Sequence, residues 1–256
     1  TRFAHLYETT TGQLLQTFPD PNPSEAGFGR EAAIFEKHAA ISTGVGDQSG
    51  TVHLFDIKTG ALRRSIPPPE PLGGFGKAIA MFGDLMVVSA PFQFVGDEQN
   101  PFALGRVYAY DVETGELIYS LKNPNPGEPD RGVATDDFFG ASLAISKDLV
   151  VIGVDGNSID DVAHIFESAS GTLVTSLDNP NTPYHFGPVD ISGPFVVVGD
   201  TTNSDAARLA GASYVTAIPE PRSGLIWVIV SATTLLTVCV RSLASRKRSE
   251  LRPPTS

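Results

Sequence analysis

The chain has 256 residues and a formal net charge of −11, from 18 Lys and Arg against 29 Asp and Glu. Residues 222–256 hold six of the basic residues and one acid, so the first 221 carry 12 basic against 28 acidic side chains. A body that acidic is repelled by nucleic acid phosphates, and no basic stripe with interleaved aromatics offsets the repulsion, which argues against nucleic acid as a partner.

From its first residues the chain reads as strand. RFAHLYETTTGQLLQTF (2–18) alternates apolar and polar residues on either side of a turn closing on Gly12, the pattern of a β-hairpin. FGREAAIFEKHAAISTGV (28–45) opens on Phe28-Gly29 and holds a short strand, a tight turn and a second apolar strand. TVHLFDIKTGALRRSI (51–66) is the first hairpin again, with its turn at Gly60. The two units then alternate along the body. FGKAIAMFGDLMVVSAP (75–91) is followed by RVYAYDVETGELIYSL (106–121), and FGASLAISKDLVVIGV (139–154) by VAHIFESASGTLVTSL (162–177), with turns at Gly115 and Gly171. FGPVDISGPFVVVGD (186–200) precedes ASYVTAI (212–218), a truncated last copy.

The Phe-Gly steps at Phe28, Phe75, Phe139 and Phe186 recur every 47 to 64 residues. Runs such as LVVIGV read as strands buried on both faces. Four strands per unit in repeated copies predict an all-β fold, a β-propeller of four-stranded blades with four to five visible. The expected core includes Val87, Val88, Val150, Val151, Val197 and Val198, with Phe75, Phe139 and Phe186 at the starts of innermost strands.

This order of Phe-Gly, short strand, tight turn, Val-rich strand and Val-Tyr-x-Tyr resembles the FG-GAP-like repeats of β-propellers over roughly residues 2–217. It departs from the integrin type, whose Asp-rich calcium loop would lie where this chain has only FEKH, FGD, SKD and SGP, so integrin-style calcium binding is not implied. The hairpin at 106–121 also resembles quinoprotein propeller repeats, but Tyr119 stands where those carry a blade-docking tryptophan, which disfavours a quinone-dependent dehydrogenase. Whole blades are visible at 28–66, 75–122 and 139–178, flanked by a last hairpin at 2–18 and a first three strands at 186–217. Propellers use about four to eight blades. Either the ring closes by joining these ends, or the chain is the C-terminal part of something longer. The strand-initial Thr1, with no initiator Met or charged-then-apolar leader, favours the second.

After the repeats at 1–217 come a linker at 218–222, an expected transmembrane helix at 223–244 and a basic tail at 245–256. Gly224 to Val240 gives seventeen uncharged residues, at the short end for a bilayer span, and Trp227 sits near its outer end. Arg241 can snorkel, and Arg246, Lys247 and Arg248 place the C-terminus in the cytoplasm by the positive-inside rule. The one cysteine, Cys239, lies in this run as lipid-facing filler, leaving the body without disulfides or thiol chemistry. Pro219-Glu220-Pro221, an apolar helix and a basic cluster together resemble the PEP-CTERM sorting signal of Gram-negative and related bacteria. The resemblance implies recognition by an exosortase-type membrane enzyme, cleavage near the motif, and relocation from the inner membrane to the cell envelope or outside.

Catalytic and cofactor signals are sparse. His5, His53 and His164 share one strand position with Tyr108 and Tyr214, the mark of a packing slot, and His38 and His185 lie near a turn and a loop without partners at ligand spacing. Gly76-Lys77 lacks the phosphate-loop glycine and serine, GVGDQSG (44–50) lacks dinucleotide spacing, and no G-x-S-x-G elbow is present. The pairs Asp136-Asp137 and Asp160-Asp161 read as solvated loop acids.

The long connections, 91–105, 123–138, 154–161 and 200–211, fall on one side of the expected blades and are acidic. They carry Asp97, Glu98, Glu128, Asp130, Asp136, Asp137, Asp155, Asp160, Asp161, Asp200 and Asp205, with Phe92, Phe94 and Phe102 as apolar anchors. Asp155, Asp160, Asp200 and Asp205 are the weak candidates for calcium, and no other cofactor is expected. The favoured reading is a non-enzymatic exported protein that binds an exopolysaccharide or a surface protein through this rim. The bland reading is an acidic surface that keeps the protein soluble. The alternative from another class is a propeller hydrolase or lyase whose catalytic residues lie in a missing N-terminal part.

Overall fold

Period-two alternation and β-branched runs make strands of almost every repeat segment. The computed structural model describes residues 2–70, 73–95, 102–126, 137–155, 162–178, 186–200 and 212–217, with the backbone alone at some strand ends, among them 94–95, 102–103, 186 and 200. These residues fall in one compact unit, Thr1–Pro221, and contain no helix. The fold is all-β. The expected membrane helix, the sorting motif and the basic tail lie outside the described residues, and among the latter no helix is long and apolar enough to cross a membrane.

The first sheet pairs β1 (Phe3–Tyr7) with β2 (Leu14–Pro19). The second runs in the order β3 (Ala32–Phe35), β4 (His38–Ser42), β5 (Val52–Asp56), β6 (Leu62–Ile66). The third places β7 (Ile79–Phe82) and β8 (Leu85–Ala90) beside β11 (Arg106–Asp111) and β12 (Leu117–Leu121), with the small pair β9 (Phe94–Val95) and β10 (Phe102–Ala103) in the intervening connection. The fourth holds β13 (Ser142–Ile145), β14 (Leu149–Gly153), β15 (Val162–Glu167) and β16 (Leu173–Asp178); the fifth holds β17 (Phe186–Ser192), β18 (Phe195–Asp200) and β19 (Ala212–Ala217). Every pairing within these sheets is antiparallel, and the first strands β3, β7, β13 and β17 lie side by side in succession.

Alternate residues of a strand point to opposite faces, and here both faces of the middle strands are covered by neighbouring sheets. On β8, Met86 and Val88 pack toward the second sheet with Ala40, Val52 and Leu54, while Val87 packs toward the fourth with Val150 and Ile152. Val151 and Ile165 then meet Val196 and Val198 of the fifth sheet, and Phe55 and Ile41 meet Phe18 of the first. Val87, Val88, Val150, Val151 and Val198 are buried as expected, whereas Val197 is 38% exposed. Val197 occupies the β18 position equivalent to Val87 and Val151, and its face has no sheet laid over it.

The Phe-Gly steps differ in part from expectation. Phe75 and Phe139 are buried, but in the turns ahead of β7 and β13 rather than at the strand starts; Phe186 does open β17, and its side chain lies outside the described residues. Each glycine of the three earlier steps donates its N–H to the end of the second strand of its own sheet, Gly29 to Ser42 O, Gly76 to Ser89 O and Gly140 to Gly153 O. All three have positive φ, +86°, +84° and +92°. A Cβ on Gly76 would meet Ser42 Cβ at 2.8 Å, and one on Gly140 would meet Ser89 Cβ at 2.9 Å, both on the preceding sheet. On Gly29 it would meet nothing within 4 Å, because the sheet before it has no second strand.

That contrast separates two costs of one substitution. Gly29→Ala carries only left-handed backbone strain, about 1–2 kcal/mol, whereas Gly140→Ala adds a collision between sheets and is expected to cost clearly more. Urea unfolding of the two variants, compared at equal slope, measures the difference.

Candidate functional site

In each four-stranded sheet the turns between strands one and two, and three and four, leave at one end. The connection between strands two and three and the link to the next sheet leave at the other. The first set is tight: Glu36 and Lys37 join β3 to β4, Gly83 and Asp84 join β7 to β8, and the turns after Asp56 and Asp111 close on Gly60 and Gly115. In those turns the aspartate accepts the backbone N–H of Thr59 at 2.9 Å and of Thr114 at 2.7 Å. The long connections all belong to the second set, so the strand ends they join lie on one rim.

Where the rim is described, several of its polar groups are bound within it. Glu25 accepts the hydroxyls of Thr43 at 2.6 Å and Thr51 at 3.0 Å, using both carboxylate oxygens. Arg30 donates to Gly46 O at 2.5 Å and Gln48 O at 3.1 Å. Gln93 accepts the Tyr108 hydroxyl at 2.6 Å, and burial raises the Tyr108 pKa above its ordinary value. Asp137 is fully buried and accepts from Asn123 Nδ2 at 3.1 Å, which corrects the reading of Asp136-Asp137 as a solvated pair. Two residues on, Phe139 bridges to Gly105, which brings this segment back against the third sheet.

Among the predicted anchors, Phe92 is half-buried with its ring edge-on to Phe138, centroids 5.3 Å apart, so it packs within the rim. The side chains of Phe94 and Phe102 and of Asp200 lie outside the described residues, as do Asp97, Glu98, Glu128, Asp130, Asp136, Asp160, Asp161 and Asp205. Asp155 is exposed on the rim. Among the described residues no group of three or more His, Cys, Asp or Glu side chains is placed to hold a metal ion. Glu25, Arg30 and Gln93 were not singled out in the sequence; Glu25 and Arg30 flank the Phe28-Gly29 step, and that proximity was the available signal.

The shared His/Tyr position is a packing slot, as the repeats indicate. His53 and His164 are buried, and each shares a 2.8 Å hydrogen bond through Nδ1 with a serine on the fourth strand, Ser65 and Ser176. His5 makes the equivalent contact with Thr17 at 3.1 Å on the first, half-open sheet. Desolvation lowers the pKa of His53 and pushes that of His164 down to about 4. His38 is buried with Nε2 at 3.1 Å from Glu113, across the junction of the second and third sheets.

No protein-family model and no curated protein sequence matches the chain. Among solved structures it is similar to a computationally designed protein, Ika8, with a TM-score of 0.51 and 18% identity over 83% of this chain and 51% of that one. It is also similar to the hydrazine synthase of Kuenenia stuttgartiensis, with a TM-score of 0.50 and 14% identity over 78% of this chain and 51% of that one. The chain thus spans about half the length of both, and at such identities the likeness concerns the fold alone.

Burial of His164 in its neutral form gives the fold an acid dependence. Its folded pKa lies below the ordinary 6.5, so the unfolded chain binds the proton first and stability falls as pH drops from about 6.5 to about 4. Over that window the loss from this group is on the order of 3 kcal/mol. His164→Tyr, which installs the side chain that Tyr108 supplies in the same slot, is expected to flatten this part of the acid limb, measured as the melting temperature of each protein between pH 7 and pH 4.5.

Proposed function

We propose that the chain is an exported β-propeller protein with FG-GAP-like repeats, that the Pro219-Glu220-Pro221 motif and the tail behind it sort it to the cell envelope, and that it works by binding. The observation that carries the binding half is the one-sided distribution of connections: tight turns at one end of every sheet, long acidic connections at the other. Loops held on one rim of a stacked β scaffold are where recognition concentrates, because the scaffold tolerates change there and nowhere else.

The rim partner in this reading is an anionic surface polymer reached through calcium or another divalent ion, or a basic protein surface reached directly. Asp155, Asp160, Asp200 and Asp205 are the calcium candidates, and Asp97, Glu98, Phe94 and Phe102 lie in the 91–105 connection within the third sheet. In the sorting half, Arg241, Arg246, Lys247 and Arg248 stop transfer on the cytoplasmic side and the exosortase-type enzyme acts at the motif.

Two measurements test the halves separately. Calcium titration of the full-length protein in detergent should raise the melting midpoint with saturable dependence. An unmoved midpoint at millimolar calcium, with partner binding intact after shortening 91–105, leaves the rim as a solubilising surface. For sorting, intact mass of the protein from its native host should lack most residues after Pro221, and Glu220→Ala should retain them; a wild-type mass that includes the basic tail rejects processing.

A further inference from the structure

The end of the sheets that carries the tight turns has two features that the long connections do not use. The first is the exit of the chain. β19 ends at Ala217, which pairs with Phe195 beside the turn at 193–194, so the chain leaves the last sheet at the tight-turn end. The linker 218–222 then has five residues before the expected span at 223–244. Five residues reach at most about 18 Å, whereas a strand of six residues such as β19 is about 20 Å long. The linker is shorter than the sheet is tall and cannot return the chain past the long connections. The second feature is a recurring exposed aliphatic residue. In each four-stranded sheet the outer strand begins, two residues after the turn glycine, with an exposed leucine: Leu62 at 45%, Leu117 at 50% and Leu173 at 41%. Ile118 and Val174 beside the last two are exposed as well. Toward the long connections the same outer strands bury their aliphatic residues, Ile66 and Leu121 among them, so the exposure is confined to one rim. Arg63, in the place of Ile118 and Val174, shows that charge is accommodated there, and a strand end that only needs solvation has no use for leucine in three successive sheets.

We propose that the tight-turn rim rests on the lipid interface of the membrane that the C-terminal segment spans, with these aliphatic side chains in the headgroup layer and the acidic connections held away from it. The proposal rests on the reading of 223–244 as a span and adds to it an orientation and a lipid contact. Each apolar side chain gains by leaving water for the interface, and a short tether turns several weak contacts into one docking event. Charge selects the same rim. The long connections 91–105, 123–138, 154–161 and 200–211 hold eleven acids against Arg131 and Arg208, so anionic headgroups repel them. At the tight-turn rim Lys37 pairs with Glu113 and Arg63 with Asp56, which leaves that surface far closer to neutral. Docked in this way, the chain presents its long connections outward, to the partner rather than to the lipid.

Lipid quenching of a site-specific probe tests the orientation in the full-length protein, with Cys239→Ser as background. A bimane is attached at Leu62→Cys or Ile118→Cys on the tight-turn rim, or at Val45→Cys, 53% exposed in the connection between β4 and β5 on the other rim. All three positions are exposed, and far-UV dichroism of each variant reports that the strands are retained. Flotation with vesicles of phosphatidylethanolamine and phosphatidylglycerol, resistant to alkaline carbonate, reports the span. A chain that does not float refutes the reading of 223–244, and the docking with it. In the vesicles, a lipid carrying a nitroxide on its headgroup is expected to quench most of the fluorescence at Leu62 and Ile118 and to leave the Val45 probe bright. Leu117→Glu together with Ile118→Glu is expected to restore the fluorescence at Leu62. In a chain that floats, a bright Leu62 probe, equal quenching at the two rims, or quenching at Leu62 unmoved by the glutamates overturns the lipid contact and leaves the span standing. A probe at Leu62 or Ile118 shifted to the blue yet unquenched puts protein over these residues, a second copy included, and overturns it equally.

Discussion

Everything in this structure depends on apolar strands being covered on both faces by other sheets. A lone four-stranded sheet of these sequences would expose both of its apolar faces, and each Val, Ile or Phe left there forfeits roughly 1.5–3 kcal/mol of burial. The chain meets the constraint by repetition. Each sheet presents an aliphatic forward face from β4, β8 or β14 and their neighbours, and the following sheet presents His, Tyr and Phe from the same slots to receive it. The Phe-Gly corner sets the spacing: its phenylalanine fills the junction, and at Gly76 and Gly140 the backbone lies so close to the preceding sheet that an added Cβ would come within 3 Å of a serine side chain there.

Against this burial the charged contacts between sheets are small. Lys37 and His38 meet Glu113 across one junction at 2.6 and 3.1 Å, and they hold the Glu113 carboxyl below its ordinary range. The lysine and the glutamate are both exposed, and exposed pairs contribute from nothing to about 1 kcal/mol. They fix angle more than they supply stability. The same holds for the donors that reach from one fourth strand to the next turn: Gln16 to Lys58 O at 3.3 Å, Arg64 to Glu113 O at 3.4 Å and Tyr119 to Ser168 O at 2.6 Å. At the last of these the Tyr119 hydroxyl ties the third sheet to the turn of the fourth.

The strands, their grouping and the two-faced burial of the valine runs were legible because they depend on period-two patterning, which is local. The turn glycines were legible for the same reason: Gly60 and Gly115 both take φ near +71° after an aspartate that caps the turn. What sequence could not carry was dependence on neighbours. Val197 reads like Val87 and Val151, and only the absence of a covering sheet on its face makes it exposed. Asp137 reads like any loop acid, and its segment is brought back against the third sheet by a bridge between Gly105 and Phe139, distant in the chain. Nor does the sequence carry the register irregularity near the end of the first arm of these hairpins, at Leu6/Tyr7, Leu54/Phe55, Ala109/Tyr110 and Ile165/Phe166, although it recurs at the same place in all four.

That irregularity connects the packing to the rim. A bulge at one fixed place increases the local twist of every hairpin in the same sense, so successive sheets meet with the same stagger and the corners after them recur in register. Register in turn decides which connections are free to lengthen. The ends carrying the turn glycines are pinned, because each of Gly60, Gly115 and Gly171 lies under a side chain of the sheet before it. The opposite ends are held at the Phe-Gly corners and by local contacts such as Glu25 with Thr43 and Thr51, and chain inserted between such contacts need not disturb a junction. Fifteen residues at 91–105 and sixteen at 123–138 stand at that end of the third sheet, against turns of two residues (83–84) and five (112–116) at the other. The asymmetry between a fixed rim and a variable one is therefore a consequence of how the sheets stack, and selection for binding can act on the variable rim without cost to the core.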